Sequence, residues 1–223
     1  MKVPFLANTQ LSELLCDYQQ LLEEIDLWFA GCIAQFPEQI ECAKGCSSCC
    51  RALFEISLLD AALLQQACSH LDPKIQQQVL HKAELRLTEL QRQWPELQQP
   101  YVLNQLSNTD WEDMPEDDQT PCPLLDEKGA CLVYQQRPML CRLHGLPNID
   151  VSGEIFQSDY CSLNFNCSTA TEIKALRHPF RQLYHREFDL LGEFSEAILG
   201  QKNLEIDTFI PLALLIDFSR IKK

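Results

Sequence analysis

The feature that most constrains this chain is the run Cys42-x3-Cys46-x2-Cys49-Cys50, a crowd of thiols in a polar, glycine-containing stretch. Soft thiolate donors converge on one ion when loops or turns carry them, and a two-residue spacing supplies such a turn. Cys46-Ser-Ser-Cys49 has that spacing. A helical turn would bring Cys42 to the same side, with Gly45 relaxing the backbone between them. Cys50 behaves differently, because adjacent side chains diverge by about 100° on a helix and point to opposite faces of a strand. Cys49 and Cys50 together therefore imply a second metal, a cluster or one unligated thiol.

Whether such thiols meet metals or each other depends on the compartment. Met1 to Leu6 runs into Asn8 and Gln10 too soon for an apolar signal region of about 7 to 15 residues, so the chain reads as cytoplasmic. There its 12 cysteines stay reduced and serve metal binding or catalysis rather than disulfides. A net charge of -14, with only 18 Lys and Arg, repels phosphate backbones and anionic headgroups, which argues against a nucleic-acid partner. The apolar stretches from Leu11 to Phe36 and from Phe180 to Leu199 are broken by charges, and neither supplies the roughly 20 apolar residues of a membrane helix. No membrane partner is expected, and the sequence specifies no protein partner. With 223 residues, 46% of them hydrophobic, the chain can bury a real core.

Periodicity organises the rest. Leu14, Tyr18, Leu21, Leu22, Ile25, Trp28, Phe29 and Cys32 recur at helical spacing, so residues 1–41 read as an N-terminal helix ending before Pro37. Ser57 and Asp60 have capping-box-like spacing ahead of a second helix, and Asp72-Pro73 is a cap and first-turn pair for a third, together spanning 57–94. Periodicity vanishes in an acidic loop at 104–120. Cys122 to Tyr134 reads as two short strands reversing near Lys128-Gly129, and Ile149 to Phe156 as a hairpin around Ser152-Gly153. This middle third is where β structure is expected. Residues 168–223 return to helical spacing, including a short apolar helix from about Thr208 to Phe218. The expected fold is mainly α (α+β). It is a single 1–223 domain whose cysteine-rich core, 42–167, holds a small β-hairpin insert that carries the metal site.

The later donors follow from that layout. A hairpin brings Cys122 and Cys131 together, and Arg137-Pro138-x-x-Cys141-Arg142 offers a third thiol on a helix begun by the proline. Cys161 follows, with Cys167 a weaker candidate. Four thiolates around a divalent ion carry about two negative charges, and Arg51, Arg137 and Arg142 stand beside proposed ligands to offset them.

Taken together, Cys42-Ala-Lys-Gly-Cys46-Ser-Ser-Cys49-Cys50-Arg51, Cys122-Pro-Leu-Leu, Cys131-Leu-Val-Tyr and Arg137-Pro-x-x-Cys141-Arg142 resemble the YkgJ-type CxxCxxCC cysteine-cluster family, described as zinc- or iron-chelating. The resemblance runs from about Cys42 to Cys161, although this chain has three residues between its first two cysteines where many relatives have two. It implies zinc, iron or an iron–sulfur centre on Cys42, Cys46, Cys49, Cys50, Cys122, Cys131, Cys141 and Cys161. Flagellin lysine methylases have a similar cysteine pattern, but no glycine-rich nucleotide loop is seen here.

Other groups read more plainly. Cys16, Cys32 and Cys68 sit on helices as small apolar residues, and the acids around Pro115 form a solvated linker rather than a calcium loop. His144 could complete a Cys-x2-His pair, but a lone histidine is more often a surface or satisfied core residue. No serine elbow, His-Glu-x-x-His helix or phosphate loop supports the common hydrolase, zinc-protease or nucleotide-binding classes. The expected function is metal binding coupled to folding. The alternatives are an iron–sulfur enzyme, methylase-like or redox, and a thiol redox sensor.

Overall fold

Helix α1, Thr9–Gln35, buries Leu14, Tyr18, Leu21, Leu22 and Ile25 along one side, the apolar stripe its sequence spells out. The computed structural model describes residues 9–43, 45–105, 119–166, 169–202 and 206–221. Most of the acidic loop and Cys167 lie outside the described residues. The chain is mainly helical, with two small antiparallel sheets, an α+β architecture.

Helix α2, Leu58–Ser69, starts where the capping spacing places it, with Asp60 N–H donating to Ser57 Oγ at 3.2 Å. It is buried on nearly every face and packs against α1 and the C-terminal helices. Helix α3, Pro73–Gln93, is capped by Asp72, which accepts from Lys74 N–H at 2.9 Å, and carries proline in its first turn. A five-residue helix, α4, Met139–Leu143, follows Pro138 and lies on α1. Helix α5, Phe180–Leu199, packs along α1 and stops at Gly200, whose φ of 72° is the left-handed cap glycine favours.

The C-terminal segment departs from expectation. Instead of one helix from Thr208 to Phe218 there is a strand, then helix α6, Ile210–Ala213, then a 3-10 turn, Phe218–Arg220. The buried amide of Gln65 explains the early stop, because Nε2 donates to both Ala213 O and Ile216 O at 2.8 Å and gives carbonyls at the helix end a partner. The strand, β4, Asp207–Phe209, pairs with β1, Glu55–Ser57, with Ile56 opposite Thr208. β structure therefore extends beyond the middle third. The hairpin of β2, Asn148–Ile149, and β3, Ile155–Gln157, forms as read. Between Cys122 and Tyr134 the chain does reverse at Gly129, but a single bridge, Leu125 to Cys131, replaces two strands. Asp126 closes the turn by accepting from Lys128 and Ala130 N–H at 2.8 Å.

The main hydrophobic cluster gathers residues from Leu11 on α1 to Ile221 near the C-terminus. A smaller one joins Cys32, Ile40, Leu146, Phe165, Ala170 and Leu176. Among the described residues, no helix is long and apolar enough to cross a membrane.

Candidate metal centre

Between these two clusters lies a cavity of about 220 Å³. Its wall is assembled from three separate stretches of chain. Cys42, Cys46, Cys49 and Cys50 come from the loop after α1, Cys122, Cys131 and Cys141 from the reversed segment and α4, and Cys161 from the loop beyond β3. All eight candidate ligands thus face one space. Cys122, Cys131 and Cys141 rest against the main cluster, and Cys42 against the smaller one.

Local folding explains how the first stretch turns inward. Gly45 takes φ 96° and Cys46 N–H donates to Ala43 O at 2.9 Å, so a left-handed turn, not the expected helical one, reverses the chain after Cys42. A 3-10 turn, Cys49–Arg51, then carries both adjacent thiols. Cys122 N–H donates to Cys50 O at 2.7 Å, which ties the second stretch to the first. Cys161 N–H donates to His144 O at 3.0 Å and ties in the third.

Helix α4 is held from below by two acids, Asp60, which is buried, and Asp26, which is partly exposed. Asp60 Oδ1 accepts from Tyr18 OH at 2.9 Å and from Met139 N–H at 3.2 Å, anchoring the start of the helix that carries Cys141. Asp26 on α1 pairs with Arg137 at 2.6 Å and with Arg142. Arg142, 2% exposed, also donates to Arg137 O at 2.9 Å and to Gln135 O at 2.6 Å. Arg137 and Arg142 line the cavity as anticipated, whereas Arg51 turns to Gln119 O.

Burial is the largest influence on most of the thiols and favours their neutral form. It pushes Cys122 up to about 12 and raises Cys42, Cys131 and Cys141. Cys49 is raised first by its hydrogen bond with Cys50 and then by burial. Arg137 opposes the rise at Cys49, and both arginines oppose it at Cys131. Mutual repulsion reveals the grouping. Cys42 feels Cys161, Cys46 and Cys49, while Cys141 feels Cys122, Cys49 and Cys131. Cys49 belongs to both sets.

The donor chemistry fits zinc or iron, since clustered thiols suit a soft or borderline cation and two arginines can offset the negative charge left when four thiolates bind a divalent ion. Among the described residues, no group of three or more His, Cys, Asp or Glu side chains already stands in metal-holding geometry. His144 forms part of the wall, its ring 5.0 Å from that of Phe54 and its basicity lowered by burial. Cys32 and Cys68 are buried apolar residues as read, but Cys16, expected to be buried with them, is exposed on α1. Sequence reading missed Asp26, Asp60 and a third residue, Asn164. That asparagine is 1% exposed and its Nδ2 donates to Cys42 Sγ at 3.3 Å. No spacing rule marks Asp26 or Asn164, and the capping-box spacing that marks Asp60 speaks only of the start of α2.

A family profile for the CxxCxxCC domain, described as zinc- or iron-chelating, matches residues 41–162. No curated protein and no solved structure was found to match the chain.

Proposed function

This chain belongs to the CxxCxxCC family of zinc- or iron-chelating domains, and from that membership and the cavity we propose that its eight lining cysteines hold a zinc or iron centre. The observation that carries the reading is the convergence of eight thiols from three distant stretches on one space. Incidental cysteines have no reason to share a cavity.

The grouping favours two ions, or one cluster, with Cys49 between the sets. Cys42, Cys46 and Cys161 would hold one side, and Cys122, Cys131 and Cys141 the other, with Cys50 as a further donor. The bound cation would supply positive charge that stabilises thiolates and joins the two hydrophobic clusters. Arg137 and Arg142 would offset excess negative charge, and Asp26 holds both guanidinium groups in place.

One domain over 1–223, with a cysteine-rich core at 42–167 between flanking helices, is part of this reading, supported by a main cluster that draws on both ends of the chain. So is a cytoplasmic location, where the thiols stay reduced, and so is the lack of a nucleic-acid partner at a charge of -14. A second reading, an iron–sulfur enzyme, is favoured by one observation. The thiols share their cavity with Phe29, Leu64 and Ile210, an apolar wall able to hold a substrate beside the centre.

Anaerobic purification, metal analysis and an ultraviolet–visible spectrum test the main proposal. Zinc is colourless and an iron–sulfur cluster is coloured, so one preparation separates them. Protein that carries no zinc or iron, and takes up neither when supplied, refutes it.

A further inference from the structure

Asn164 lies outside the 41–162 stretch that the family profile matches, yet its amide touches the thiol wall. Every polar atom of that side chain is used. Oδ1 accepts from Glu41 N–H at 2.9 Å, and Nδ2 donates to Gly145 O at 2.6 Å. A backbone N–H can only donate and a carbonyl only accept, so these partners fix which end of the amide is nitrogen. The second hydrogen on Nδ2 is left for Cys42 Sγ, 3.3 Å away.

The surrounding backbone holds the amide in place. Asn164 N–H donates to Cys161 O at 2.9 Å, and the next residue, Phe165, donates to Gln39 O at 2.8 Å. Phe165 takes φ 51°, a left-handed conformation that turns the chain back toward the Cys42 stretch. One buried side chain therefore joins the Cys42 loop, the segment following α4 and the Cys161 loop.

We propose that Asn164 is a positioning residue of the metal centre, its Nδ2–H fixing the Cys42 sulfur where it lines the shared cavity. The inference rests on the proposed function, since it requires Cys42 to be a ligand. Partners that hydrogen-bond a ligating atom orient it and set how strongly it donates.

The test uses the full-length, reduced chain, with zinc affinity measured by competition with a chromophoric chelator and the thiolate-to-metal charge-transfer band recorded with cobalt(II). Asn164→Asp keeps the shape and the acceptor for Glu41 N–H but removes both donated bonds. Asn164→Ala serves as a second variant if the first does not fold. Zinc affinity should fall about 10- to 100-fold, the usual effect of losing such a partner. The cobalt band should move to lower energy, because a sulfur freed of its hydrogen bond gives up electron density more readily. Both changes should shrink in a Cys42→Ala background. Unchanged affinity and band, or an equal loss with and without Cys42, would overturn the proposal, the latter by showing that Asn164 acts only on the fold. If wild-type protein binds metal and Cys42→Ala binds it equally well, this inference alone falls. If wild-type protein binds neither zinc nor cobalt, the proposed function falls with it.

Discussion

Asp60 should make the metal-free protein less stable as the pH rises toward neutrality. The carboxyl is 3% exposed, and burial, against the opposing hydrogen bonds from Tyr18 and Met139 and the pull of Arg142, lifts it from 3.8 to about 6. A carboxyl raised in the folded state binds its proton more tightly there than in the unfolded chain. Its contribution to stability is therefore complete below pH 3.8, lost as the pH climbs through about 6, and flat above. At about 1.36 kcal/mol per pH unit, the loss is about 3 kcal/mol. Asp60→Asn is the informative change. Both native bonds go to Oδ1, an oxygen the amide retains, and the variant carries no charge at any pH. Any cost of the new NH2 group is constant with pH. Urea unfolding of both proteins, reduced and chelator-treated, should show the variant gaining about 3 kcal/mol relative to wild type between about pH 4 and pH 7. Glu187, itself raised to about 8 chiefly by burial, is present in both, so its desolvation cancels in the difference, whereas the smaller share of its rise that comes from the Asp60 charge is lost in the variant and adds to its gain. A difference that stays flat across that range would refute the argument.

Three further outcomes test the site. In Gly145→Ala the new Cβ would stand 2.6 Å from Phe29 Cζ and 3.1 Å from Cys42 Sγ, so overpacking should cost roughly 1–3 kcal/mol and lower the melting temperature by several degrees. An unchanged melt would show that the Phe29 ring swings clear. Because burial favours the protonated form of Cys122, Cys131 and Cys141, zinc loading near pH 7 should release about four protons per four-thiolate ion and weaken as the pH falls. Titration in weak buffer that releases hardly any protons would argue against thiolate ligation. Stripping metal with a chelator should lower the melting temperature while the far-ultraviolet helical signal persists, and complete loss of that signal would show that the helices depend on the metal.

The helical frame is legible because its signals are local. Ser57 and Asp72 cap where their spacing says they should, and the stripe on α1 follows a period of a few residues. The β1–β4 pair escapes such reading. Its strands, Glu55–Ser57 and Asp207–Phe209, are three residues each and meet across most of the chain length. The candidate ligands are legible for a different reason, since cysteine is chemically distinctive wherever it falls. Their supports are not. Asp26 reads as one more acid on the polar side of α1, and Asn164 as a turn residue, until folding sets them against Arg142 and Cys42. Gln65, too, looks like a surface residue by type, yet it is 2% exposed because α2 runs through the centre of the molecule.

The placement of the thiols also changes what metal binding would mean for folding. In a very small zinc module the ion replaces a core that the chain is too short to build, and removal unfolds it. Here Tyr18, Leu21, Leu22, Ile25, Leu59 and Leu64 are buried completely with no candidate ligand among them. The scaffold of α1, α2 and α5 therefore has its own apolar drive. The two clusters are already joined along α1, which gives Ile25 to one and Cys32 to the other, but their thiol-bearing loops, with Cys122, Cys131 and Cys141 on one side and Cys42 on the other, face each other across the gap of the cavity. An ion bound across that gap would order the loops around the centre more than the helices behind it. Metal occupancy would then be expressed in the shape of the cavity and its apolar wall, while the frame persists in either state.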